Sequence, residues 1–220
     1  MNTHNEHDPA RETVVLLHGM GRSRASMWPL AQRLRGAGFQ TRNFPYSPAF
    51  HRFDTLVGDM HDFIVERVKT PRYHLVGHSL GNILIRARFR VGYPSGLTRI
   101  VMLAPPNHLP KLARRFQGCP PFHWWTGESG KLLASEEFYE SLPVPSVEFG
   151  VIAGDKGQYI TFDEPNDRVI TVESTRLSGM ADHLVVPDAH TFIMNSRATA
   201  RATITFLRDG QFTSISPEGE

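Results

Sequence analysis

Tyr73-His74-Leu75-Val76-Gly77-His78-Ser79-Leu80-Gly81 runs from a short apolar segment, through a glycine-flanked serine, into a helical pattern. Tyr73 to Val76 reads as a buried strand, and the pattern from Leu80 to about Val91 as a helix. A serine held in the sharp turn between them has a strained backbone that lifts its hydroxyl clear of the sheet. Residues two positions to either side must then be small to avoid collision, and Gly77 and Gly81 supply that smallness. The first turn of the helix also aims unpaired N–H groups and a positive dipole end at the serine, which favours negative charge developing on a bound oxygen. The pattern G-x-S-x-G alone arises readily by chance; its place between strand and helix gives it meaning.

Outward from this point the chain keeps one rhythm. Val14 to Leu17, Gln40 to Tyr46, Ile100 to Ala104, Val147 to Ala153 and His183 to Val186 read as further strands. Met27, Leu30, Ala31 and Leu34 recur at helical spacing until Gly36 and Gly38. Phe53, Leu56, Val57, Met60, Ile64 and Val68 form one apolar stripe that Pro71 ends, and a last helix covers roughly Ser196 to Leu207. Alternating strands and helices predict a mainly parallel sheet with helices on both faces. The break comes between Pro105 and Pro145, a stretch rich in Pro, Gly and aromatics that includes Phe122, Trp124 and Trp125. It reads either as a cap over a pocket or as an irregular connection whose tryptophans complete the core.

The 220 residues, 40% of them hydrophobic, suffice for one domain with a substantial core. We expect it to span 13–209, between polar tails at 1–12 and 210–220. A formal net charge of +2 gives no reason to expect a nucleic acid or an anionic membrane as partner. The single cysteine, Cys119, excludes an intramolecular disulfide, as suits a reducing compartment. Residues 1–12 lack an apolar signal core, from which a cytoplasmic location is expected, although a signal already removed leaves no trace. No run approaches the roughly 18 apolar residues a membrane span needs, so no stable membrane insertion is expected.

A tetrahedral oxyanion needs two donors. The N–H of Leu80 is one, and the N–H of Met20, within Leu17-His18-Gly19-Met20-Gly21 after the first strand, is the other candidate. His18 and His78 read as structural hydrogen-bonding residues. The eleven histidines are scattered, without H-E-x-x-H or cysteine pairs, so no metal is expected. Gly19 and Gly21 lack the Lys-Ser or Lys-Thr of a phosphate-binding loop. Arg86, Arg88, Arg90, Arg99, Lys111, Arg114 and Arg115 make a locally basic stretch that reads as a solvated helix face.

His-Gly-x-Gly after the first strand, Gly-His-Ser-Leu-Gly mid-chain, and a late Asp and His together resemble the lipase and esterase branch of the α/β-hydrolase superfamily, compact bacterial lipases above all. The resemblance spans nearly the whole chain. It implies a sheet of about six strands and a catalytic order of nucleophile, acid, histidine. Ser79 then answers to the nucleophile. His190, in Pro187-Asp188-Ala189-His190 after the last apolar strand, answers to the base; His183, at the start of that strand, is expected at the wrong end. For the acid, Asp155, Asp163 and Asp167 compete. Asp167 is preferred, because it resembles the family pattern in which the acid precedes a short apolar segment, here Val169 to Val172, and because its 23 positions before His190, room for a helix and a strand, are similar to the compact lipases. Asp155, after Ala153-Gly154, is its rival.

The expectation is a serine hydrolase of carboxylic esters working through an acyl-enzyme on Ser79, with a small ester or lipid substrate and no cofactor. Thioesterase, amidase or acyltransferase chemistry would use the same three residues. A non-catalytic binding protein on this fold, or a membrane-surface or partner-binding module using Trp124 and Trp125, are the alternatives of other classes. Oligomeric state, acyl chain length and the alcohol moiety are not legible.

Overall fold

A computed structural model describes residues 12–48, 51–109, 135–159 and 162–212. Six strands, β1 (Glu12–Leu17), β2 (Gln40–Asn43), β3 (Arg72–His78), β4 (Leu97–Leu103), β5 (Glu148–Gly154) and β6 (Asp182–Val186), form one sheet in the order β2-β1-β3-β4-β5-β6. Every neighbouring pair is parallel. Helices α1 (Trp28–Gly36), α2 (Phe53–Arg67), α3 (Leu80–Arg88), α4 (Glu136–Ser141) and α5 (Arg197–Asp209) accompany it. This is the expected α/β-hydrolase architecture.

Parallel strands need crossover helices, and helices on both faces leave the central strands no wet side. That is why β1, β3 and β5 read as nearly unbroken apolar runs. Alternate residues feed two cores. Val14 and Leu16 of β1, Val76, Val101 and Ile152 pack with Leu30 and Leu34 of α1 and with Ala200, Phe206 and Leu207 of α5. Val15 and Leu17, with Leu75, Ile100, Met102 and Val151, face Leu56, Met60 and Ile64 of α2 and Ile83, Leu84 and Ala87 of α3.

Strand β1 connects outward to β2, whereas the chain re-enters on its other side at β3. The strand order reverses there, and such a reversal opens a crevice at the carboxyl ends of the two strands. The turns after β1 and β3 carry His18 to Gly21 and Ser79.

Among the boundaries that differ from expectation, three have a clear physical reason. Strand β2 stops at Asn43 rather than Tyr46: Phe44 still donates its N–H to Leu16 O, but Pro45 has none, and Tyr46 turns inward to stack on His18 at 4.1 Å. Helix α3 ends at Arg88, where the chain tightens into Phe89 N–H to Arg86 O and Arg90 N–H to Ala87 O bonds before Gly92 at φ 84°. Glu12, counted with the tail, is the buried first residue of β1. Within 105–145, α4 buries Phe138, edge-on to Phe53, and Tyr139. Phe122, Trp124, Trp125 and both expected tails, apart from Glu12 and 210–212, lie outside the described residues. No helix among the described residues is long and apolar enough to cross a membrane.

Of the basic stretch, Lys111, Arg114 and Arg115 lie outside the described residues, and Arg86 to Arg99 is not a solvated helix face. Arg86 is buried in α3 and donates to Leu142 O, Pro143 O, Asn107 O and Asn107 Oδ1. Arg88 donates to His61 Nδ1, while Arg99, on β4, caps the last carbonyls of α5 at Leu207 and Arg208 and pairs with Glu148. Only Arg90 of these four is exposed. Burial lowers the Arg86 guanidinium to about 10, and carbonyl oxygens rather than a carboxylate compensate its charge.

Leu75, fully buried at the middle of β3, tests this core. Leu75→Ala is expected to lower unfolding stability by about 2–5 kcal/mol, because a cavity adds to the lost transfer energy. Urea denaturation followed by circular dichroism checks it; an unchanged midpoint would place Leu75 outside the cooperative core.

Candidate active site

Ser79 sits between β3 and α3 at φ 51° and ψ −118°, a region that non-glycine residues rarely occupy. The surroundings hold it there. Its N–H donates to Leu103 O at 3.0 Å, and its carbonyl accepts from Asn82 N–H at 2.9 Å. Asn82 Nδ2 donates to the same Leu103 oxygen at 3.0 Å, so one carbonyl of β4 secures both ends of the turn.

The glycines are required by contact. A Cβ on Gly77 would lie 2.2 Å from Asn82 Oδ1, and one on Gly81 would lie 2.7 Å from Leu17 O and 3.0 Å from His18 O. One on Gly19 would lie 3.2 Å from Ser79 Cβ and 2.8 Å from His78 Nδ1, so the loop bearing Met20 presses directly on the serine turn. Leu80 opens α3 next to Ser79. The two backbone segments expected to bind an oxyanion therefore meet at Ser79.

Asp167 and His190 are brought together. His190 Nδ1–H donates to Asp167 Oδ2 at 2.7 Å, and its main-chain N–H donates to Asp167 O at 2.9 Å. The carboxylate is buried at 1% exposure, and its other oxygen accepts the N–H groups of Val169 at 3.0 Å and Ile170 at 2.9 Å. This fixes the imidazole tautomer: Nδ1 carries the proton and Nε2 is left able to accept one. Among the described residues the Ser79 hydroxyl is not hydrogen-bonded to that imidazole. Arg168, at φ 86°, is held by its N–H to Asn166 Oδ1, and Asn166 also bridges to Gln158 and Glu164. A Cβ on Gly154 would meet Asp188 O at 2.3 Å and Asp167 Cβ at 3.1 Å, so the acid and histidine loops close over the end of β5.

The rivals do not join this group. Asp155 and Asp163 are exposed, and His183 Nε2–H donates to Thr175 Oγ1, whose own proton goes to Val172 O. His18 is buried with its ring nitrogens 2.8 Å from Gly19 O and 3.1 Å from Tyr46 O, and His78 Nε2–H donates to His190 O at 3.0 Å. Both are structural hydrogen-bonding residues, as read. Sequence reasoning missed Asn82, signalled only by a short polar residue in an otherwise apolar first turn. It also missed Asn107, whose Nδ2–H donates to Thr175 O and which joins Arg86 to the loop beyond Asp167. A groove of about 880 Å³ beside edge strand β2, lined in part by Arg24, Trp28, Arg42 and Glu66, includes none of Ser79, Asp167 and His190.

A model of the "Alpha/beta hydrolase family" matches residues 14–203. Comparison with curated proteins finds no match. Among solved structures, a Bacillus licheniformis lipase in propeptide form is 17% identical with a TM-score of 0.67, covering 98% of this chain and 54% of its own. The chain thus spans about half the length of that lipase. An esterase from Exiguobacterium antarcticum is 14% identical with a TM-score of 0.60, over 90% of this chain and 92% of its own. A lipase-esterase related protein from Clostridium acetobutylicum is 10% identical with a TM-score of 0.56, over 92% and 96%.

Burial lowers His18 below the ordinary histidine range and His78 well below it. On unfolding both take up protons near the unperturbed value of about 6.5, so the unfolded state binds more protons and stability falls as pH drops below it. Each contributes up to about 1.4 kcal/mol per pH unit until its folded value is reached. Urea midpoints are therefore expected to be lower at pH 5.5 than at 7.5; an equal or higher acid midpoint contradicts neutral burial.

Proposed function

The chain belongs to the alpha/beta hydrolase family, and we propose that it is a serine hydrolase of carboxylic esters with Ser79 as nucleophile, His190 as base and Asp167 as acid. The observation that carries this is the 2.7 Å bond from His190 Nδ1–H to Asp167 Oδ2, with His190 O in turn bonded to His78, the neighbour of the strained Ser79. We take residues 13–209 as one catalytic domain.

In this mechanism Ser79 Oγ attacks the ester carbonyl carbon as its proton passes to His190 Nε2. The carbonyl oxygen takes the negative charge and is held by the N–H groups of Met20 and Leu80. The imidazolium returns the proton to the departing alkoxide, leaving an acyl-enzyme. Water, deprotonated by the same imidazole, then releases the acid and restores Ser79. Asp167 keeps the ring in the Nδ1–H tautomer and stabilises the imidazolium without accepting the proton. The lipase and esterase neighbours support an ester as substrate. Amides and thioesters would engage the same groups, and no observation favours them.

Hydrolysis of p-nitrophenyl esters from acetate to palmitate tests the reading. Ser79→Ala is expected to lose on the order of 10⁴- to 10⁶-fold in kcat. Turnover that survives this substitution removes Ser79 from the chemistry. Asp167→Asn, which reverses the tautomer preference, is expected to lose on the order of 10³- to 10⁴-fold in kcat, whereas Asp155→Asn leaves it unchanged. The reverse ranking would make Asp155 the acid.

A further inference from the structure

We propose that His78 is a positioning residue that sets the spacing between Ser79 and His190, an inference that rests on the reading of those two as nucleophile and base. His78 immediately precedes Ser79 in the chain, yet its side chain reaches the loop after β6. Nε2–H donates to the main-chain oxygen of His190 at 3.0 Å, and the two rings lie 5.0 Å apart. Its other face meets the turn after β1, where a Cβ on Gly19 would lie 2.8 Å from Nδ1. One buried side chain therefore touches the loop bearing Met20, the nucleophile turn from which it springs, and the loop bearing the base.

The bond completes the restraint on His190. The ring is fixed by Nδ1–H to Asp167 Oδ2, the main-chain N–H by Asp167 O, and the main-chain oxygen by His78. The first two tie His190 to the acid alone. The His78 bond ties it to the strand that carries Ser79, and so acts on the distance over which the Ser79 proton must move. A misplacement of about 1 Å in such a geometry costs on the order of 10²-fold in rate.

Geometry also dictates the protonation state. A carbonyl only accepts, so Nε2 carries the proton. Nδ1 is buried without a hydrogen-bond partner among the described residues, and a second proton there would be both unpaired and charged. Arg22, His18 and His190 all oppose a positive charge at this ring, in the same direction as its burial. His78 is thus a neutral donor in one tautomer.

The test is steady-state kinetics on p-nitrophenyl esters for His78→Phe, His78→Gln and Ser79→Ala. Phe keeps a flat ring but removes the donor, and is expected to lower kcat about 10²-fold with KM within about twofold. Gln restores an N–H donor and is expected to recover at least about tenfold of that loss, which bulk alone does not explain. Folded His78→Phe with wild-type kcat, or Gln no better than Phe, overturns the proposal while Ser79→Ala remains inactive. Activity retained in Ser79→Ala overturns the underlying reading instead. Imidazole ¹⁵N shifts of the wild-type protein give a readout that needs no variant to fold. His78 is expected as the Nε2–H tautomer from about pH 5 to 8; an Nδ1–H tautomer, or titration in that range, overturns the assignment.

Discussion

Backbone meets backbone where β1 and β3 end, and the site depends on that approach. The carbonyls of Leu17 and His18 press on Gly81, while Gly19 presses on Ser79 and His78. A single Cβ at Gly81 would force the turn after β1 away from α3, and with it the Met20 loop away from the Ser79 turn. The strain at Ser79, roughly 1–3 kcal/mol for a non-glycine residue at such angles, is sustained because Leu103 O holds both the Ser79 N–H and the Asn82 amide. A strained turn at the surface would relax; here it is fastened from the adjacent strand.

The same closeness decides what charge the interior tolerates. Two unit charges 5 Å apart repel by about 3 kcal/mol even at an effective dielectric of 20. A cationic His78 would therefore oppose the imidazolium that the proposed reaction forms at His190. Burial prevents this by holding His78 neutral, and its donor proton is committed to a carbonyl. His190 differs because a buried carboxylate faces its Nδ1. The two histidines, with ring centroids 5.0 Å apart, thus differ in what they meet: His78 a carbonyl, His190 a carboxylate.

The sheet was legible because burial on both faces writes uninterrupted apolar runs into β1, β3 and β5, and the serine turn because its glycines are local in sequence. The preference for Asp167 over Asp155 came from a likeness to the family's spacing and following apolar segment; in the structure Val169 and Ile170 of that segment point their N–H groups at the carboxylate. Arg86 was misread for a physical reason. Its partners, Asn107, Leu142 and Pro143, are remote in sequence and mostly backbone oxygens, which every residue carries and no pattern marks. The early end of β2 was in principle readable, since Pro45 lacks the donor a parallel ladder needs. The bond from His78 to His190 O was not, because a main-chain acceptor leaves no trace in residue type.

These differences follow from how the site is assembled. The Ser79 turn is made by a few consecutive residues and two strands already bonded together. The proposed acid and base are placed elsewhere: Asp167 lies on a loop that Asn166 folds upon itself through bonds to Gln158, Glu164 and Arg168, and it grips His190 by ring and by backbone. Each half is internally determined. Their relative placement rests on contacts between them that include the bonds from His78 to His190 O and from Arg22 to Thr191 O. A hydrogen bond in either half is backed by neighbours that restrain the same atoms, whereas one between the halves has few such substitutes. In the proposed mechanism the spacing of Ser79 and His190 is therefore most exposed to error at these junction contacts, the bond from His78 to His190 O among them.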